Sequence, residues 1–291
     1  MERLFSPHMA GRVQHYRAEL KKRRGDWETY LKTNSGLPGP RANLELVEAV
    51  GEEADPDLLW RLSASSDEFL ALCGTAGLGR LVRSDDSVLP WLKELAEDAR
   101  WRVREGVAIA LQRFGRSDMA RLITEMEAWS KAGPLVQRAA AAALCEPPLL
   151  KKPDEVKRVL GILDHITRSM AATRERKHES FRVLRVAMGY CWSVAAAANP
   201  EAARPLLEKW LRSSDPDIAW VMKSNLGKAR MGVMGRSWLT ASKAALTRRP
   251  KPTSKSPTRP ARSRHAQPRQ GLEAEADRPA ISSRSAHKQV S

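Results

Sequence analysis

One pattern recurs 33 residues apart in this chain, and it restricts the fold more than any other feature. Val103 is followed by Val107, Ala108, Ala110 and Leu111, and Val136 is followed at the same offsets by Ala140, Ala141, Ala143 and Leu144. Those offsets bring the residues to one side of an α-helix. Small residues there let a neighbouring helix approach closely, while Val and Leu fill the layer between repeats. A looser copy begins at Asp67, with Leu72, Ala76 and Gly77, and another lies around Asp215. Units of this length built from two helices each predict an α-solenoid.

Helix starts agree with that reading. Asp55-Pro56, Asn199-Pro200 and Asp215-Pro216 each set a capping residue before a proline whose missing N–H costs nothing at the first helical position. Ser65-x-x-Glu68 has the spacing of a capping box, Gly133-Pro134 and Lys152-Pro153-Asp154 mark further starts, and Asp118 is expected to cap another helix. No stretch alternates β-branched residues, and no Asn-Gly hairpin turn occurs. The expectation is an all-α, right-handed α-solenoid of helix pairs over residues 34–232, preceded by a basic helical segment at 1–33 and followed by a disordered basic tail at 233–291.

The charge is distributed unevenly. The chain has a formal charge of +16. Residues 233–291 hold 13 Lys+Arg against 3 Asp+Glu, and residues 1–25 hold 7 against 2. The body, 26–232, has 30 basic and 29 acidic residues, so the excess basicity is peripheral. Beyond about Gly232 the sequence is rich in Arg, Lys, Pro and Ser, with few large apolar residues, Trp238, Leu239 and Leu246 among them. Such a segment buries too little apolar surface to offset its ordering entropy. Two readings stay open for it: a nucleic-acid or membrane-surface tail, or a passive extension. The three cysteines are too few for a disulfide framework and fit a reducing compartment, so a cytoplasmic location is expected. Met1–Lys22 carries Arg3, His8, Arg12 and Arg17, which is unlike a secretory signal. No apolar run reaches the roughly 18 residues of a membrane span.

Asp98…Val103-Arg104…Val107-Ala108…Ala110-Leu111 resembles the second half of a HEAT repeat, and Val136…Ala140-Ala141…Leu144 is similar to it. The stretch from Asn34-Ser35-Gly36-Leu37-Pro38-Gly39-Pro40-Arg41 through Gly189-Tyr190-Cys191-Trp192-Ser193 to Trp220-Val221…Asn225-Leu226…Lys228-Ala229-Arg230 also resembles uncharacterised bacterial HEAT-repeat proteins with an armadillo-like fold. The resemblance implies a curved helical scaffold of the kind that mostly binds proteins, with a distant side branch of DNA alkylation repair glycosylases. It implies no reaction.

Catalytic constellations are scarce. The glycosylase branch carries Trp-Asp-x-x-Asp on one helix. Trp27-Glu28 is the nearest start here, and the second carboxylate position holds Leu31. Gly189-Tyr190-Cys191-Trp192-Ser193 resembles the nucleophile region of papain-like proteases, but the histidines downstream, His265 and His287, fall in the expected tail. Cys191 is therefore expected to be a buried helix residue. Gly74-x-x-Gly77-x-Gly79 follows no strand and reads as small residues for helix packing. Cys73, Cys145 and Cys191 lack zinc spacing, and Glu52-Glu53-x-Asp55-x-Asp57 lacks the glycine and terminal Glu of a calcium loop. No metal and no cofactor is expected.

One constellation remains. Arg182, Arg185, Gly189 and Trp192 are spaced to share a helix face, Trp220, Lys223, Gly227 and Arg230 repeat those offsets, and Trp101 with Arg104 makes a shorter version. Arg offers a donor fork, Trp a stacking surface and Gly room for a ligand. On the concave side of a solenoid these helices would form an anion-facing groove. The competing reading makes them structural, with Arg104 pairing to Asp98 or Asp118 and the Trp residues filling gaps between repeats. The expected function is a non-catalytic scaffold that binds a protein through its concave face. The alternative is a DNA-binding relative of the alkylpurine glycosylases without the catalytic motif, nucleic acid being reached mainly through the basic tail.

Overall fold

The computed structural model describes residues 7–23 and 26–247. The disorder expected of the tail beyond Thr247 lies outside the described residues. Within them the chain forms helices α1 (Pro7–Lys22), α2 (Trp27–Thr33), α3 (Leu44–Glu53), α4 (Pro56–Ser63), α5 (Glu68–Leu78), α6 (Val88–Leu95), α7 (Trp101–Ser117), α8 (Met119–Trp129), α9 (Pro134–Leu144), α10 (Pro153–Ala172), α11 (Glu179–Ala198), α12 (Pro200–Leu211), α13 (Pro216–Leu226) and α14 (Arg236–Thr247), with 3-10 turns at Pro147–Leu149 and Ala229–Met234. No strand occurs among the described residues.

The helices start where the capping chemistry puts them. Asp55 accepts from the Leu58 N–H at the head of α4, Asp118 from Arg121 at α8, Asn199 from Ala202 at α12, and Asp215 from Asp217 and Ile218 at α13. The expected capping box is displaced. Asp67, not Ser65, caps α5, accepting from Phe69 and Leu70, while the Ser65 hydroxyl accepts from the Asp67 N–H and closes the preceding turn. A carboxylate two residues nearer the helix takes the site from the serine.

Each odd-numbered helix packs on the next: α1 on α3, then α5, α7, α9, α11 and α13. The even-numbered helices make a second layer, α4 against α5, α8 against α7 and α9, and α10 and α12 against α11 and α13. This is the helix-pair stack that the 33-residue register requires, and the repeated positions are its core. Val103, Val107, Ala110, Leu111, Val136, Ala140, Ala143 and Leu144 are all buried.

The close approach of the layers is visible at α5, where every residue from Phe69 to Leu78 is buried. A Cβ on Gly74 would lie 2.1 Å from the Ser63 N, and one on Gly79 would lie 2.1 Å from the Ala110 carbonyl oxygen. Both obstructions are backbone and cannot swing aside. Gly79→Ala is expected to lower the stability of the α5–α7 contact by about 1–3 kcal/mol through overpacking. Denaturant unfolding of the full chain measures it, and an unchanged midpoint would contradict the packing described.

One expectation needs correction. Residues 236–247 were expected to lie in the disordered tail, yet they form α14. Trp238 donates through Nε1 to Glu208 at 2.9 Å, the Arg204 guanidinium lies 5.3 Å from the Trp238 ring, and Arg204 also reaches the Met234 carbonyl. Trp238, Leu239 and Leu246 all pack against the core and supply enough apolar surface to extend the stack by one helix. Part of the N-terminal segment's basic charge is paired within the described residues. Arg12 pairs with Glu45, and Arg17 and Lys21 both pair with Glu53, so α1 is tied to α3 by its charges.

Candidate partner-binding surface

The α11–α13 contact is built around one glycine. A Cβ on Gly189 would sit 2.8 Å from Cζ3 of Trp220, so the missing side chain admits the Trp220 ring. The Arg185 guanidinium lies 4.0 Å from the centre of that ring. Gly189 thus receives an internal indole and leaves no space for a ligand, which corrects the expectation for this position. A cation over an indole face is attracted by the ring quadrupole, and the pair orients both side chains.

Acidic residues behind the ring hold the arginines in place. Asp217 Oδ1 lies 2.9 Å from Arg185 Nε, but the N–H points away from it, so the contact is an ion pair without a directed hydrogen bond. Arg176 bridges Asp215 and Asp217, with contacts of 2.7 and 2.5 Å to the first and 3.0 Å to the second. Burial pushes the Asp215 carboxyl up. The Arg176 fork and the N–H groups of Ile218 and Asp217 outweigh that and hold it below the ordinary carboxylate range. The Arg176 guanidinium is raised, first by its hydrogen bond to Asp215. Asp215 therefore serves twice, as the cap of α13 and as the anchor of the loop before α11.

The outward side of the same helices differs. Arg182 and Lys223 are exposed, and among the described residues neither has an acidic side chain within ion-pair distance. Between them lie Val186, 63% exposed, and Trp220, 37% exposed. Val186 stands four residues after Arg182 and three before Gly189, hence on the same side of α11. Sequence reasoning missed Val186; a helical wheel drawn from Arg182 would have found it.

Other expected members lie elsewhere. Trp192 is fully buried and donates through Nε1 to the Thr167 hydroxyl at 3.0 Å, so it is core and lines no groove. Its ten-residue offset from Arg182 falls about 80° short of three turns, which carries it off the outward face. Arg104 is buried as well. It pairs with neither Asp98 nor Asp118 through their carboxylates, but donates to the Asp98 and Ala99 carbonyls at 2.5 and 2.9 Å. The Asp98 carboxylate is held by Arg100. Gln137, the counterpart of Arg104 one repeat later, makes the same kind of bond to the Ser130 carbonyl. Arg230 donates to the Tyr190 hydroxyl at 2.9 Å and lies 4.8 Å from the centre of that ring.

Trp101 is half exposed at the start of α7, with the buried Arg102 guanidinium 4.4 Å from its ring centre. It borders a pocket of about 470 Å³ that Lys32, Leu37, Pro38, Glu68 and Arg102 also line. In the layer α9 lies between α7 and α11, so Trp101 belongs to a different place from Trp220.

The positions singled out for chemistry are buried or paired. Leu31, at the position of the missing glycosylase carboxylate, is fully buried, and Glu28 faces Arg61. Cys191 is buried with its Sγ 3.5 Å from the Ala141 carbonyl, and burial raises the Cys73 and Cys145 thiols well above their ordinary range. Among the described residues no group of three or more His, Cys, Asp or Glu could hold a metal, and no helix is long and apolar enough to cross a membrane.

Comparison with known families matches residues 55–145 to the HEAT repeats. Curated proteins and solved structures give no match. The matched stretch runs from the cap of α4 to the end of α9, inside the two-layer stack and across both copies of the 33-residue register. The repeats, the packing of their small residues and the all-helical described chain agree: residues 55–145 form HEAT repeats, and the described helices beyond them continue the same two-layer stack.

Proposed function

We propose that this chain is a non-catalytic scaffold that binds a protein partner through the outward face of α11 and α13. HEAT repeats form helical scaffolds that often mediate protein interactions, and that general role supports the reading. The observation that carries it is the pairing of exposed apolar surface, Val186 and Trp220, with two cations that no acidic side chain among the described residues reaches within ion-pair distance, Arg182 and Lys223. Aromatic and arginine side chains are the anchors that protein interfaces favour, and Trp220 is oriented by the Arg185 guanidinium 4.0 Å from its ring centre.

The DNA-binding alternative draws less support. A stacking platform for bases needs an open aromatic face. One face of Trp220 is engaged by Arg185, and its six-membered end rests on Gly189. The three free, buried cysteines fit a reducing compartment, the cytoplasm.

A photo-crosslinking residue in place of Val186 in the full chain tests the proposal in cell extract. A discrete protein adduct is expected there and not from the same residue at Lys157, an exposed position on α10. Adducts at position 186 made only of nucleic acid would overturn the protein reading.

A further inference from the structure

The near-neutral body conceals a charge asymmetry. Residues 26–150 hold 14 Lys+Arg and 20 Asp+Glu, a balance of −6, whereas residues 151–232 hold 16 and 9, a balance of +7. The outward face of α11 and α13 lies in the basic part. Asp215 is engaged by Arg176, and Asp217 by Arg176 and Arg185. The exposed Glu175, just before α11, and Glu179, at its start, offset part of the charge without an ion pair among the described residues. Two more exposed cations, Arg174 and Lys177, stand in the loop just before α11, again without an acidic partner within ion-pair distance among the described residues.

From this we infer that the partner is an acidic peptide segment with a large aliphatic side chain. The aliphatic group would seat on Val186 beside the Trp220 ring, and flanking carboxylates would meet Arg182 on one side and Lys223 on the other. The inference rests on the protein-binding reading above and adds the chemistry of the partner. Charge complementarity selects the acidic segment. Cations alone would suit any polyanion, but Val186 is more than half exposed at the centre of the patch, and a branched alkyl group there gains nothing from a phosphate backbone. A basic segment would be repelled by Arg182 and Lys223, and a neutral one would cover them unpaired at a desolvation cost.

The test uses the full chain and fluorescence anisotropy at about 0.15 M salt, where exposed charges more than roughly 8 Å apart are screened. The probes are a labelled Asp-Glu-Leu-Glu-Asp-Leu-Glu-Asp peptide, the same peptide with Ser for Leu, a Lys-for-acid counterpart, and a single-stranded DNA oligonucleotide. The Leu-bearing acidic peptide is expected to bind. The double variant Arg182→Glu/Lys223→Glu should weaken it at least tenfold, and Val186→Ser or the loss of the peptide leucines several-fold. All three positions are exposed, so the variants keep the fold. Binding that charge reversal leaves unchanged would place the peptide on other cations of the chain and overturn the inference. So would DNA binding that falls with the variants while peptide binding does not, or sedimentation showing self-association that the double variant abolishes. If the Lys peptide alone binds and Val186→Ser weakens it, the acidic chemistry is wrong but the protein-binding face stands. If no peptide responds to Val186→Ser and position 186 crosslinks only to nucleic acid, both fall.

Discussion

Replacing Trp192 by Ala is expected to lower stability by about 3–5 kcal/mol, the range for removing a large buried aromatic side chain. The residue is fully buried near the middle of α11, and its Nε1 bonds the Thr167 hydroxyl, which in turn donates to the Leu163 carbonyl at 2.7 Å. Truncation opens a cavity between α10 and α11 and takes away the Thr167 partner. Whole domains are stable by only about 5–15 kcal/mol, so this is a large fraction. Repeat stacks are held by nearest-neighbour contacts, so the loss should not spread evenly. Hydrogen exchange is expected to show α10 to α13 losing protection ahead of α4 to α9, and denaturant unfolding to become broader or biphasic. Trp220→Ala is the internal control, because that ring is partly exposed and its removal should cost far less. If the two substitutions have equal effects, or Trp192→Ala is nearly silent, Trp192 is not a core residue.

That comparison also shows which parts of the structure the sequence made legible. The fold was readable because its determinants are local and periodic. Asp55, Asn199 and Asp215 cap the helices they precede, and the Val103 and Val136 registers are buried as spaced. The surface was harder to read because spacing alone does not say which side of a helix faces its neighbour. Offsets of 3, 7 and 10 look alike in sequence, but drift accumulates along a helix. It leaves Arg182 and Gly189 near the outward edge and turns Trp192 into the core.

Tertiary pairing was less legible still. That Gly189 receives Trp220 and that α1 aligns its cations with Glu45 and Glu53 are long-range facts with no local signature, while Arg104 turns to nearby carbonyls in place of the carboxylates its spacing offers. The error at residues 236–247 came from composition, which is averaged over a long segment. Three apolar residues suffice for a short helix when a neighbouring surface is ready to receive them.

The residue that joins this buried layer to the proposed surface is Asn225, which composition and spacing pass over. Its side chain is fully buried, and its amide oxygen accepts from the Ser193 N–H at 2.8 Å. Its amide nitrogen donates to the Met188 and Val221 carbonyls, both at 2.8 Å. Met188 and Ser193 flank Gly189, so the amide fixes α13 to α11 beside the point where Trp220 enters. At about 1 kcal/mol of net stability for each bond, Asn225→Ala should cost about 3 kcal/mol, and more where a buried donor is left without a partner. Asn225→Asp keeps the acceptor but loses both donor bonds and puts a carboxylate against two carbonyls, so it should be no better tolerated. The distinguishing readout is on the surface. If Asn225 sets the α11–α13 register, Asn225→Ala should also weaken binding at Val186 and Trp220 under conditions where the chain remains folded, although Asn225 touches no partner. A variant that loses stability yet binds with unchanged affinity would mean that Gly189 and Arg185 place Trp220 without it.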